Sequence, residues 1–189
     1  MNHPHLALIA VLAMSSLSLS CTTGSPSFSH EHPAHSGAQA STPATYAGQQ
    51  TRAIKALSEQ EVQDFLLGKG MGFAKAAELN GYPGPMHTLE LAHAMQLNED
   101  QQGKTQALLN THKAQVKVLG EKLIEEERKL DQLFAQKTVT PESLEAQTQT
   151  IGLIQAQIRA EHLRTHLAQT ALLSREQIVK YNSLRGYVR

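Results

Sequence analysis

The sequence has no tryptophan, and aromatic residues make up only 4% of its 189 positions. Aromatic side chains bring the largest buried areas to a core. Their scarcity argues against a thick globular interior and for an elongated bundle with a thin Leu, Ile and Val seam. There is a single cysteine, Cys21, so no intramolecular disulfide can form. Neither charge is in excess: Lys plus Arg and Asp plus Glu both number 17. A general nucleic-acid binder would need a strong basic surplus, so no nucleic-acid partner is expected. Lys and Arg are missing altogether from residues 1–50, and no proline falls between Asn98 and Gln136. The first absence separates a leader and tail from the domain that follows. The second leaves room for one long helix.

The leader contains an apolar run of nine residues, Leu6 to Met14. This is too short to span a bilayer and suits a signal-peptide core. Small and apolar residues lead to Cys21, so residues 1–20 resemble a bacterial lipoprotein signal, with Cys21 as the lipidated first residue of the mature chain. Ser18 stands where such signals usually carry Leu, and the start lacks the usual Lys or Arg. Thr22 rather than Asp after the cysteine implies, by the same resemblance, the outer membrane facing the periplasm. The membrane would then be met only through the lipid anchor.

Residues 21–50 read as a disordered tether, rich in Ser, Thr, Pro, Gly, Ala and His and poor in buriable surface. As a flexible chain, the stretch from Thr22 to Thr45 would hold its ends roughly 25–30 Å apart. His30, His32 and His35 stand there beside Glu31. Such tracts can bind metal weakly, although no rigid element fixes these ligands, and a polar linker that happens to be rich in His is the plainer reading.

From residue 51 onward the pattern is helical. Three segments open with a capping box preceded by Leu: Leu57-Ser58-x-x-Glu61, Leu97-Asn98-x-x-Gln101 and Leu173-Ser174-x-x-Gln177. Leu57 can staple onto Val62 and Leu173 onto Ile178, whereas Leu97 meets Gln102 and staples weakly. The first helix is expected from Ser58 to Leu67, ended by Gly68, Gly70 and Gly72. That glycine cluster is not a phosphate loop, since no strand precedes it and no Gly-Lys-Ser/Thr follows. Short helices are expected over Phe73–Leu79 and Pro85–Met95.

Asn98 to Gln136 reads as one helix of roughly 58 Å. Its expected apolar stripe is Leu108, Val116, Leu119, Leu123, Leu130 and Phe134. Thr140-Pro141 caps and restarts the chain for a helix to Leu172, with Leu144, Ile151, Ile154, Ile158, Leu163 and Leu167. So short a turn makes the two antiparallel. A last helix covers Arg175 to Leu184. The fold class is therefore all-α, an elongated bundle around a long antiparallel hairpin. The charge run Glu125 to Lys129 reads as a solvated face.

The three capped motifs, the exported leader and the hairpin resemble the Spy/CpxP-like, or LTxxQ, family, over roughly residues 58–187. The best matches are Leu97–Gln101 and Leu172–Gln177, in which Asn98 and Ser174 replace the family's threonine. The resemblance implies a non-enzymatic envelope stress protein, often a homodimer. Some members act as periplasmic chaperones on unfolded clients. Others, such as ZraP and CnrX, are metal-linked and act with signalling partners.

Histidine placement carries the metal alternative. His162 and His166 are four apart on one helical face, and no HExxH glutamate lies between them. In a hairpin turning between Gln136 and Pro141, residues at equal height have numbers adding to about 277. His112 is then level with Thr165, between His162 and His166. Three imidazoles could thus meet and share a divalent ion such as Zn, Ni, Co or Cu, with His87 or His93 as a further ligand and Met86 or Met95 for a softer metal. A histidine on such a seam is more commonly just hydrogen-bonded to a neighbour. Catalysis finds no support: there is no nucleophile-base pattern in a strand-turn-helix setting, and no carboxylate pair stands apart. The stretch 159–189 has six basic residues against two acidic ones, a face suited to acidic partners or client segments.

Overall fold

The structure, a computed structural model, describes residues 44–187. Cys21 and the tether histidines His30, His32 and His35 lie outside the described residues. A single 3₁₀ turn, Gln49–Thr51, stands at the expected boundary between tether and domain. Six helices follow: α1 (Glu59–Leu66), α2 (Lys75–Glu78), α3 (Pro85–Glu90), α4 (Glu99–Ala135), α5 (Pro141–Ala171) and α6 (Arg175–Leu184). The described residues contain no strand, and none of their helices is long and apolar enough to cross a membrane. The fold is all-α, as the periodicity indicates. The short helices α2 and α3 are briefer than expected because turns take over their ends.

Four helices begin with a complete capping box, at Ser58, Asn98, Thr140 and Ser174. In each the cap oxygen accepts from the third helical N–H, and that residue's side chain returns to the cap N–H. Leu57 and Val62 both pack on the main core, as a staple would. At Leu97 the staple is replaced by a hydrogen bond, with Gln102 Nε2 donating to the Leu97 carbonyl at 2.9 Å. The tight turn between α4 and α5 places Lys137 at φ 57, and Thr138 N–H reaches back to the Leu133 carbonyl at 3.0 Å. This is the Schellman way to satisfy the last carbonyls of a helix.

The α4–α5 seam changes character along its length. Near the turn it is apolar, with Leu123, Ile124, Ile151, Ile154 and Ile158 joined by Phe65 of α1 and by Ile54. Toward the open ends of the hairpin the inward positions become Thr105, His112, His162, Thr165 and Gln169, all buried. Gln169 Nε2 donates to Thr105 Oγ1 at 3.1 Å, one rung of this polar half. The expected stripes are corrected in detail. Leu109 rather than Leu108 is buried, and Phe134, Leu144 and Leu167 stand exposed. Leu167 faces outward because the polar Thr165 and Gln169 hold the inward line of α5.

Two glycines let α1 sit close to α4. A Cβ at Gly120 would lie 2.6 Å from the Phe65 carbonyl oxygen, so α1 packs backbone to backbone there. Gly68, at φ 63, ends α1 against Val116. A second core joins Met95, Leu97 and the fully buried Tyr181 of α6.

Candidate functional site

The polar half of the seam forms the floor of a cavity of about 800 Å³. Its walls are the glycine-rich loop after α1 (Leu67 to Gly72), one side of α2, and the start of α3. His112, His162 and His166 all line it. The rings of His112 and His162 touch edge to face, with centroids 4.6 Å apart at 71°. His162 also stacks on Phe73, at 5.7 Å and 15°.

The expected register is met at its central pair. Thr165 Oγ1 and His112 Nδ1 are 3.0 Å apart, with Glu161 Oε1 a further partner of the hydroxyl at 3.5 Å. This chain is satisfied when Nδ1–H donates to the hydroxyl and the hydroxyl donates to the carboxylate. His112 Nε2 is then its basic nitrogen. His166 Nδ1–H donates to the Tyr82 carbonyl at 2.8 Å, which leaves Nε2 as its acceptor too. Gly84 permits this approach, because a Cβ there would lie 2.8 Å from the His166 ring. His162 is 4% exposed, and its Nε2 is buried with no hydrogen-bond partner.

Burial disfavours a proton on two of these rings, His162 and His112. It pushes the His162 imidazole down to about 4, with the neighbouring His112 and His166 adding to the effect. Burial also lowers His112, partly offset by the Glu161 carboxylate. Neutral imidazoles are the form in which nitrogen ligates metal. Among the described residues, however, no three His, Cys, Asp or Glu side chains are disposed to hold one ion. His112 and His166 each commit Nδ1 and leave Nε2 as the acceptor, so the three rings line one cavity but do not make up a three-residue ligand group. His87 lines the cavity with its Nδ1 against Glu90 Oε2 at 2.7 Å, and His93 is exposed and takes no part in the lining. Met86 lines the cavity, while Met95 is spent in the second core.

Comparison with protein-family models, with curated proteins and with solved structures yields no match.

Several lining residues carry no motif of their own. Glu78 of α2 accepts from the Tyr181 hydroxyl at 2.6 Å through Oε1. Arg185 Nε lies 3.7 Å from the same oxygen, and His166 Nδ1 lies 3.6 Å from Glu78 Oε2. Lys69 pairs with Asp64 at 2.8 Å. Lys75 and Lys113 also line the cavity, and neither makes an ion pair among the described residues. The glycine cluster and the Gly-Tyr-Pro-Gly-Pro stretch were the available signals, since both mark backbone that helices cannot use. What remained hidden is that both segments fold over the same end of the hairpin.

Proposed function

We propose that this chain is a non-enzymatic envelope protein of Spy/CpxP-like type, a chaperone-like module that holds unfolded or envelope clients. The observation that carries the reading is the open, largely apolar cavity at the polar end of the hairpin. Leu67, Met71, Met86 and Leu109 give it apolar wall, and lysines stand among them. Met71 and Met86 are themselves 37% and 46% exposed. Flexible thioethers suit clients of varied shape. The signal-like leader ending at Cys21 supports a periplasmic location on a lipid anchor, and the family resemblance supports a homodimer. Mass spectrometry of the mature protein tests the anchor.

The direct test is aggregation of a chemically unfolded client with and without the full chain. Suppression at near-equimolar ratio, weakened by Met86→Glu and Met71→Glu, supports the reading. Unchanged aggregation removes it.

A second reading, divalent-metal binding or sensing, is favoured by one observation: His112, His162 and His166 line one cavity while His162 Nε2 lacks a partner. The ions to try are Zn, Ni, Co and Cu. Calorimetry on the full chain, His162→Ala and a chain without the tether histidines decides it. Affinity lost with His162 supports the seam, and affinity lost only with the tether supports His30, His32 and His35.

A further inference from the structure

The cavity has an unbalanced charge. Four cations line it, Lys69, Lys75, Lys113 and Arg185, against the single carboxylate Glu78. Asp64 holds Lys69, and Glu78 faces Arg185. Lys75 and Lys113 remain without a carboxylate partner among the described residues. Lys113 is also near enough to disfavour a proton on His112. A ligand that complements this lining carries one negative group.

The rest of the wall asks for hydrocarbon. Leu67, Met71, Pro85, Met86 and Leu109 line the space, and about 800 Å³ falls in the range of small-molecule pockets. A purely polar anion would leave that wall uncovered, and a purely apolar molecule would leave the two lysines unanswered.

We propose that the cavity binds a small amphiphilic carboxylate of the medium-chain fatty-acid class, its hydrocarbon against Leu67, Met71, Met86 and Leu109 and its head toward Lys75 and Lys113. This rests on reading the cavity as the binding site of the protein. It goes further in naming the ligand chemistry. The carboxylate accepts from the lysine ammonium groups, so no group is required to change its proton count on binding.

The test uses the full chain and decanoate, kept below its micelle concentration and followed by titration calorimetry. Saturable binding at one per chain is expected, with decanol and acetate each at least about tenfold weaker, since each lacks one half of the complement. Lys75→Gln combined with Lys113→Gln should weaken decanoate by about tenfold at low salt and leave decanol unchanged. Both lysines are exposed, so the thermal unfolding of this variant should match the parent and exclude misfolding. Equal affinity for decanol and decanoate, or no effect of the double substitution, overturns the proposal. So does a peptide with an apolar C-terminus that binds where decanoate does not, because the site would then belong to chain ends. Aggregation suppression separates this inference from the chaperone reading. A chain that takes decanoate but protects no client keeps the first and loses the second. A chain that protects clients and ignores decanoate does the reverse.

Discussion

Gln101 and Gln177 hydrogen-bond each other in both directions: Gln101 Nε2 donates to Gln177 Oε1 at 2.9 Å, and Gln177 Nε2 donates to Gln101 Oε1 at 3.0 Å. Each is also the third helical residue of its own capping box, at the start of α4 and of α6. Gln101 Nε2 further donates to the Leu172 carbonyl at 2.9 Å. Two helix starts separated by more than seventy positions are thus tied through their caps. Gln101→Ala and Gln177→Ala should each cost about 1–2 kcal/mol, from a lost cap and a lost cross-bond. In a double-mutant cycle read by urea unfolding, the pair should be less than additive, with a coupling on the order of 1 kcal/mol. Strict additivity would mean that the two caps act separately.

Acid should weaken the fold through the imidazole pair. His162 is held near 4 in the folded chain by burial, whereas an unfolded chain takes up its proton near the ordinary value of about 6.5. The unfolded state therefore binds more protons as pH falls from that value. Stability is complete above it, declines toward about pH 4, and levels off below, a change on the order of 3 kcal/mol from His162 alone. His112 is lowered in the same direction and adds to the slope. Urea unfolding of the parent and of His162→Gln across this range checks it. A variant that keeps the full slope places the effect elsewhere.

Gly120→Ala should be destabilising by about 1–3 kcal/mol, because the new Cβ meets a backbone carbonyl that cannot swing away. Gly103 is the control. Nothing lies within 4 Å of a Cβ added there, and it sits inside α4. Gly103→Ala should therefore raise stability by up to about 1 kcal/mol through helix propensity alone. Thermal unfolding of the two variants should shift in opposite directions.

Tyr181→Phe should remove the hydrogen bond to Glu78 while keeping the ring that fills the second core. Glu78 Oε2 already lacks a hydrogen-bond partner and is buried. Depriving Oε1 as well should cost about 1–3 kcal/mol in chemical unfolding. A neutral result would mean that Arg185 or water takes over the carboxylate.

The helices and their caps were legible because capping chemistry is local. Ser58, Asn98, Thr140 and Ser174 each announce a start within four residues, and all four starts are present. The height relation between His112 and Thr165 was legible because a short turn leaves an antiparallel pair little freedom in register. The inward line of α5 was less so. Leu163 and Leu167 are more apolar than Thr165 and Gln169, yet the latter two are buried, each with a partner on α4. Hydropathy alone cannot weigh a polar residue whose partner stands on another helix. The far wall of the cavity escaped for the same reason. Lys75, Glu78 and Arg185 are ordinary helix-surface residues until Tyr181 and Gly84 bring their segments over the seam.

The division of the α4–α5 seam into an apolar and a polar half also sets where the molecule breathes. Amide protons around Leu123 and Ile154 lie behind the main core and should exchange with solvent only through global opening. Those flanking Thr105 and Gln169 are secured by hydrogen-bonded rungs and the smaller Tyr181 core, and should exchange through a smaller, local event. The hairpin then frays from its open end while the turn end stays shut. The half that carries the cavity can loosen around an occupant without the other half giving up its protection.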